Sequence, residues 1–250
     1  MTQESSAFAR SPQSQFLTGC QQLMLSIDLE MVTRAQQGTV WDCSNAVLYE
    51  LCAKYPFHRD DKHILAKVLL IGRTYAVAIE RRKRDTDIPN DRFYTERVAP
   101  AMRSCGIDDW IANAKSIEKG HPSAIDATVE AHAKLTQIFR EITGMDKRSL
   151  ASKYLHFHAP SVFYIYDQRA VQALRLVIGR STGSARLNGP ADLSYQRFIW
   201  GCGRLIEQCR TQFGTVLSPR ELDNLLLEIA ASVAPSEERR VFNPMADCDF

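Results

Sequence analysis

One short segment concentrates side chains that could take part in chemistry. SLASKYLHFHAPSVFYIYDQRA, residues 149–170, contains one lysine, two histidines, three tyrosines and one aspartate. A lysine amine is nucleophilic only when neutral, so its usual pKa of about 10.4 must be lowered by burial or by a neighbouring cation. Lys153 is therefore a candidate nucleophile. A charged His156, one helical turn along, would contribute to lowering its pKa.

The spacing within this segment brings an aspartate towards the lysine. Helical periodicity places Lys153 and His156 on one face of a helix. Pro160 ends that helix, because proline lacks an N–H group and restricts the residue before it. The chain rises about 9 Å from Lys153 to the end of the helix, and an extended return can span roughly 23 Å. Asp167 can therefore face Lys153, and it is also a candidate N-cap for the helix QRAVQALRLVI.

The histidines and cysteines do not predict a metal site. His156 and His158 are two residues apart and point to different sides of a regular helix, so they cannot bind one metal together. His132 lies on an apolar helical stripe and is predicted to be a core residue. The seven cysteines show neither a CxxC pair nor zinc-ligand spacing. We expect no metal and no cofactor.

Composition limits the kind of protein that carries this segment. The chain has 250 residues, 45% of them hydrophobic and 24% charged, which suits one domain or two closely packed lobes. The net charge of +2 is small, so any nucleic-acid binding must come from a local basic patch. Scattered cysteines, with no signal peptide and no apolar span, predict a cytoplasmic protein without membrane contact. The oligomeric state is left open.

The elements that must position the segment are predicted to be helices. Apolar residues at helical spacing predict helices over 62–84, 123–142 and 193–213. Ser218 and Glu221 form a capping box at the start of another helix. Only FYIY at 163–166 is strand-like, and one short strand cannot form a sheet. We therefore predict an all-α fold: a tail at 1–12, a helical domain at 13–233 with lobes 13–120 and 121–233 flanking a cleft, and a tail at 234–250.

The order of these features resembles a known family. A lysine in a short helix, an aromatic and apolar run, and an aspartate at the next helix start make SKYLHFHAPSVFYIYD similar to the helix-hairpin-helix DNA glycosylases. The closest likeness is to divergent bacterial proteins with an 8-oxoguanine glycosylase-like fold, over about residues 124–174. In that family the lysine attacks the sugar carbon of an extruded nucleotide, and the aspartate supports the developing positive charge. The resemblance implies Lys153 as nucleophile and Asp167 as its partner.

An alternative register of the hairpin moves the nucleophile. The family usually has two glycines before its lysine, whereas ITGMDKRSLASK has Gly144 and then Asp146. Reading the hairpin as TGMDKRS puts Lys147 or Arg148 at the catalytic position. We prefer Lys153, because its helix face is the organised one, and keep Lys147 as the second choice.

The resemblance also implies a partner and further binding residues. It implies a DNA glycosylase, with AP lyase activity as a second step, that excises a modified or damaged base through a lysine Schiff base without a cofactor. The substrate-binding candidates are His156, His158, Tyr154, Tyr166 and Arg169. The candidates for contact with the nucleic-acid backbone are Arg81, Arg82, Lys83, Arg84, Arg148, Arg180 and Arg186, although the first four would also suit the dipole of a helix that ends there.

Two other classes of protein stay open. One is a DNA- or nucleotide-binding helical module without catalysis, such as an accessory protein in bacterial anti-phage defence. The other is a structural helical protein in which the polar face at Lys153 meets another protein. Without the resemblance, Lys153 would be interpreted as an ordinary solvated lysine on an exposed helix face.

Overall fold

The computed structural model describes residues 25–118, 122–179 and 192–233 as an all-helical chain, with no strand in these ranges. The predicted all-α fold is thus confirmed. The helices are α1 Leu29–Gln36, α2 Trp41–Lys54, α3 Asp61–Thr74, α4 Asn90–Phe93, a π-helical turn Tyr94–Val98, α5 Ala99–Ser104, α6 Ile107–Ser116, α7 Pro122–Thr143, α8 Arg148–His158, α9 Gln168–Ile178, α10 Leu193–Phe213 and α11 Pro219–Val233.

Two apolar clusters form the interior. The first is built from the helices α2 to α8 and contains side chains such as Phe93, Leu135 and Phe139. The second joins α1 to α9, α10 and α11, and α1 packs against α11. Helix α7 contributes to both, since Val129 belongs to the second cluster. The lobes proposed from the sequence stay a prediction, but these clusters do not divide the chain near residue 120.

Helix α8 lies inside the molecule. Of its eleven residues, those from Leu150 to Phe157 are all buried. It ends at His158, and Ala159 donates its N–H to the carbonyls of Leu155 and His156 before Pro160. The predicted proline stop is confirmed. Other helices cover α8 on both sides, so it has no solvated face.

The FYIY segment is extended, and side chains satisfy part of its backbone. The Ser152 hydroxyl accepts from the N–H of Tyr166 at 3.0 Å and lies 3.2 Å from the carbonyl of the same residue. The Tyr195 hydroxyl donates to the carbonyl of Tyr164 at 3.0 Å. These bonds serve a largely buried extended segment that has no neighbouring strand among the described residues.

The helix predicted over 62–84 ends ten residues early. Helix α3 stops at Thr74, and Ala76 adopts a left-handed conformation with φ of 52°. The chain folds back so tightly that a Cβ on Gly72 would lie 3.0 Å from the Cα of Ala78. Ile79 is fully buried as a result, and its burial offsets the backbone cost of the turn.

The other helix predictions are confirmed. Helices α7 and α10 occupy the predicted ranges, and α11 begins with the predicted capping box, in which the Ser218 N–H donates to Glu221 at 2.7 Å. Gly201 lies inside α10, where a Cβ would come within 2.7 Å of Leu174 on α9. None of the helices in the described ranges combines the length and apolar content needed to span a membrane.

Candidate functional site

A buried polar cluster lies where α8, from the first apolar cluster, meets α9 and α11, from the second. We call it the junction cluster. Its members come from α2, the end of α3, α8, the start of α9 and α11: Asp42, Asn45, Tyr49, Tyr75, Lys153, His156, Asp167, Arg220 and Asp223. The lysine and aspartate selected from the sequence both belong to it.

The Lys153 amine is held by oxygen atoms. Its Nζ lies 2.8 Å from the Ser149 hydroxyl, 3.5 Å from the carbonyl of Tyr166 and 3.6 Å from Oδ2 of Asp167. The side chain is only 3% exposed. Burial lowers the pKa of Lys153 from its usual value, while the Asp167 carboxylate opposes that shift. The structure thus contradicts the alternative of a solvated lysine.

Asp167 has the two roles expected of it. Its Oδ1 accepts the N–H of Ala170 at 2.9 Å and so caps the first turn of α9. Its other oxygen, Oδ2, faces Lys153, and the side chain is 21% exposed. The return of the chain after Pro160 therefore brings the carboxylate opposite the amine, as the spacing predicted. Asp167 is also the more exposed side chain of this ion pair.

Arg220 joins the part of the junction cluster on α11 to the part on α2. Its Nη1 lies 2.7 Å from Oδ2 of Asp223 on its own helix, and its Nη2 lies 3.1 Å from Oδ1 of Asp42 on α2. The other oxygen of Asp223 is buried without a hydrogen-bond partner among the described residues. Burial raises the pKa of Asp223 to about 6, against the opposing charge of Arg220. No sequence pattern indicated this second carboxylate near Lys153.

His156 is neutral, which corrects its expected role. Its Nδ1 lies 2.8 Å from the carbonyl of Phe163 and must carry the proton, so its Nε2 accepts from the Tyr49 hydroxyl at 2.7 Å. Burial lowers the pKa of His156 to about 4. Because the ring is uncharged near neutral pH, burial is the main cause of the lowered pKa of Lys153, and a histidine cation is not.

Two other substrate-binding candidates belong to a second cluster on another side of α8. The Tyr154 hydroxyl lies 2.7 Å from Nε2 of His58, whose Nδ1 lies 2.6 Å from Asp108. His158 donates from Nδ1 to the carbonyl of Tyr154 at 2.8 Å and lies 3.1 Å from Nζ of Lys67. We call these five residues the Lys67 cluster. Tyr154 and His158 therefore do not gather around Lys153.

Lys67 is a second buried lysine that the sequence did not single out. Its Nζ donates to the carbonyls of Tyr55 at 3.0 Å and Phe57 at 3.4 Å. Burial lowers its pKa to about 8. In the sequence, Lys67 lies beside the apolar stripe of α3, with no indication that it is buried. Only the packing of α8 against α3 shows that its amine is enclosed.

Lys147, the second-choice nucleophile, lies elsewhere. It immediately precedes α8 and donates its amine to the carbonyl of Arg81. It is partly buried, and burial lowers its pKa. Among the ion pairs of the described residues, Asp167 pairs with Lys153 and not with Lys147.

The basic run does not end a helix. Arg81, Arg82, Lys83 and Arg84 follow the turn after α3, and the Arg84 N–H donates to the carbonyl of Thr143 at 2.9 Å. This bond and the contact of Lys147 with Arg81 place the run beside the turn between α7 and α8. The helix-dipole explanation for the four cations is therefore wrong, while their contact with nucleic acid stays a prediction.

The remaining candidates are spread around the junction cluster. Arg169 is exposed at the start of α9, near enough to lower the pKa of Lys153 by its charge. Arg148 lies 2.5 Å from Asp192 and 3.2 Å from Asp146, so carboxylates already occupy its guanidinium. Tyr166 lines a cavity described below. Arg180 and Arg186 lie outside the described residues.

His132 is a core residue and does not belong to a metal-binding group of the described residues. His132 is fully buried, stacks on Tyr195 with ring centroids 3.7 Å apart, and lies 3.1 Å from the carbonyl of Arg148. Its prediction as a core residue is confirmed. Within the described ranges, no three His, Cys, Asp or Glu side chains are arranged to hold a metal ion.

Comparison with known proteins gives no further assignment of this site. No family model, no curated protein and no solved structure matches the chain.

Proposed function

We propose that the chain is a DNA glycosylase-like enzyme that excises a modified or damaged base, with Lys153 as nucleophile and Asp167 as its electrostatic partner. One observation carries this proposal. A buried amine lies 3.6 Å from a carboxylate that caps a helix, at the junction of two apolar clusters. Its lowered pKa favours the neutral, nucleophilic form of the amine.

The chemistry assigns one step to each residue. The Lys153 lone pair forms a bond to C1′ of the nucleotide while the bond from C1′ to the base breaks. The base leaves with that electron pair and takes one proton from the amine. The bond from C1′ to the ring oxygen then breaks as the nitrogen lone pair forms the C=N bond of the Schiff base, and the ring oxygen takes the second amine proton. Asp167 stabilises the positive charge that develops on the sugar. Strand nicking by β-elimination would follow from the Schiff base.

Reaching Lys153 requires the junction cluster to open, because its side chain is 3% exposed. Base extrusion costs a few kcal/mol, which contacts to the DNA backbone must offset. The basic run at 81–84 provides the proposed backbone contacts, and Arg169, near Asp167, is a proposed substrate contact. Lys147 stays the second candidate nucleophile, beside that run.

The same burial favours a second candidate function. Lys153 is already held by Ser149 and Asp167, and neither Lys153 nor Asp167 lines the cavity between α9 and α10, the cavity beside α7 or the cavity beside Arg84 and Thr143. A DNA- or nucleotide-binding module without catalysis, such as an accessory protein of bacterial anti-phage defence, would keep such a lysine as a structural group. This protein would bind nucleic acid without forming a covalent adduct.

Borohydride trapping separates these functions. The protein is incubated with duplexes that contain an abasic site or 8-oxoguanine, reduced, and examined for a covalent complex. We expect an adduct in the wild type, none with Lys153→Gln, and an unchanged yield with Lys147→Gln as the matched control. Circular dichroism checks that both variants fold.

Each of the other outcomes has a defined meaning. An adduct lost only with Lys147→Gln would move the nucleophile and overturn the role of Lys153. Duplex binding without any adduct would favour the binding module. Absence of binding to every duplex at low salt would contradict both functions, since phosphate contacts are strongest there.

A further inference from the structure

A cavity of about 310 Å³ lies between α9 and α10, close to the junction cluster. It is at the small end of the range of about 300–1,000 Å³ that is typical of ligand pockets. Its lining combines apolar, aromatic and cationic side chains: Tyr166, Val171, Leu174, Arg175, Ile178, Gly179, Ser194, Arg197 and Phe198.

The aromatic and apolar groups are the buried part of this lining. Phe198 is 4% exposed and Leu174 is likewise 4% exposed. The rings of Tyr166 and Phe198 meet edge to face, with centroids 5.3 Å apart. A planar, weakly polar group placed there would gain apolar and aromatic contacts.

The cationic groups lie at the exposed side. Arg175 and Arg197 are both exposed, and no carboxylate of the described residues lies within salt-bridge distance of either. Ser194, also exposed, adds a hydroxyl next to them. Two guanidinium groups without a counterion in the described part of the chain provide donors for an anionic group such as a phosphate.

Another cavity shows why the missing counterions matter. A space of about 560 Å³ beside α7 is also lined by cations, Lys134, Arg140 and Arg148. Each of these already pairs with a carboxylate, on Glu130, Asp146 or Asp192. An anion entering there would have to displace an existing ion pair, whereas the cavity between α9 and α10 requires no such exchange.

We propose that the cavity between α9 and α10 binds one phosphorylated nucleoside, with its base against Tyr166 and Phe198 and its phosphate between Arg175 and Arg197. The ligand is either a free nucleotide or one nucleotide of a single strand. Tyr166 connects this site to the junction cluster, since its ring lines the cavity while its carbonyl lies 3.5 Å from Nζ of Lys153.

This binding site does not depend on the proposed glycosylase reaction. A nucleotide can occupy the cavity whether or not Lys153 forms a Schiff base. If Lys153 is reactive, the cavity holds a nucleotide that neighbours the one being processed. If it is not, the cavity alone provides a nucleotide-binding function.

Titration calorimetry on the full chain tests the proposal with four probes: deoxyadenosine monophosphate, deoxyadenosine, inorganic phosphate and a six-nucleotide deoxyadenosine strand. We expect the monophosphate or the strand to bind at least about tenfold more tightly than deoxyadenosine or phosphate, because only these ligands carry both groups. Binding by both indicates a free nucleotide as an acceptable ligand, and binding by the strand alone indicates a strand segment.

Variants then locate the binding. Arg175→Gln and Arg197→Gln should each weaken it about tenfold, and the double variant more, since each removes a charge-assisted contact. Arg204→Gln is the matched control, an exposed arginine on α10 that does not line the cavity. Calorimetry measures reversible binding and borohydride trapping measures the covalent reaction, so that failure of the glycosylase reaction and failure of this site can be told apart.

Three results would overturn the proposal. One is that none of the nucleotide probes binds. Another is that phosphate binds as tightly as the monophosphate, which would reduce the cavity to an anion site. The third is full binding by the Arg175→Gln, Arg197→Gln double variant, with circular dichroism confirming that it is folded.

Discussion

Helix α8 separates two buried lysines that the protein stabilises in different ways. Lys153 faces the Asp167 carboxylate, with Asp223 and Arg220 near it. Lys67, on the other side, has two backbone carbonyls and neutral imidazoles around its amine, and the Asp108 carboxylate of its cluster bonds to His58 instead. Both amines are buried, but only one has a direct carboxylate partner.

The difference indicates which lysine is suited to chemistry. The surroundings of Lys153 accommodate both forms of its amine. Asp167 stabilises the charged form, and burial favours the neutral form. Around Lys67 no carboxylate of the described residues lies within ion-pair distance of the amine, and burial lowers the pKa to about 8. A carboxylate opposite the amine is useful for stabilising a cationic transition state, and only the junction cluster provides one.

The largest effect is expected from breaking the ion pairs of Arg220. Arg220→Met leaves the carboxylate of Asp223 buried and unpaired, and we expect a loss of about 3–5 kcal/mol in the free energy of unfolding. Urea denaturation measures it. Arg210→Met, which breaks the exposed pair with Glu207, is the control and should cost less than about 1 kcal/mol. Equal losses would mean that the junction cluster is not enclosed.

Stability at alkaline pH tests the Lys67 cluster. The pKa of Lys67 is about 8 in the folded protein and 10.5 without burial, so the unfolded chain binds more protons between these values. Stability therefore gains roughly 3 kcal/mol from this group as the pH rises from 8 to 10.5.

Urea unfolding of wild type and Lys67→Met across that pH range isolates this contribution. The free-energy difference between the two proteins should change with pH by the amount given above. Lys62→Met, at an exposed position on the same helix, serves as the control and should run parallel to the wild type. A parallel curve for Lys67→Met would show that its amine is not enclosed.

Removing the charge of Asp167 tests the junction pair directly. Asparagine still caps a helix well, so Asp167→Asn mainly removes the counterion of Lys153, and we expect a loss of about 2 kcal/mol. Asp28→Asn changes an N-cap without an ion pair, that of α1, and should cost less than about 0.5 kcal/mol. Similar losses measured by denaturation would show that capping, and not pairing with Lys153, is the main role of Asp167.

The smallest effects are expected from the two tyrosines that donate hydrogen bonds to histidines, Tyr154 in the Lys67 cluster and Tyr49 in the junction cluster. Tyr154 is fully buried, so Tyr154→Phe removes the 2.7 Å hydrogen bond to His58 and leaves only the Lys67 amine, at 3.5 Å, facing that ring nitrogen; it should cost about 1–2 kcal/mol. Tyr49 is partly buried, and water can replace its hydroxyl at His156, so Tyr49→Phe should cost less than about 1 kcal/mol. Thermal unfolding measures both, and a reversed order would contradict the burial of the Lys67 cluster.

Local patterns predicted much of the site's geometry. Pro160 and the length of the return placed Asp167 opposite Lys153, and a short polar side chain before an apolar helix identified the N-cap. These predictions succeeded because they depend on steric and hydrogen-bonding rules within about twenty residues. The role of Lys153 as a nucleophile stays a prediction.

Contacts between distant residues were beyond such patterns. Arg220 bonds to Asp42, and His58 bonds to Tyr154, across separations of 178 and 96 residues. The early end of α3 also depends on tertiary structure, since the left-handed Ala76 is stabilised by burial of Ile79 against other helices. A helix periodicity that runs through the turn gives no sign of this.

The sequence by itself determined the all-α class, the bounds of α7 and α10, the end of α8, the starts of α9 and α11 and the approach of Asp167 to Lys153, because periodicity, proline and capping act over short distances. Only the tertiary structure decided that α8 is enclosed, that His156 is neutral and that Lys67 is a second buried amine. The physical reason is that desolvation depends on what packs around a group, and these groups are covered by helices from distant parts of the chain.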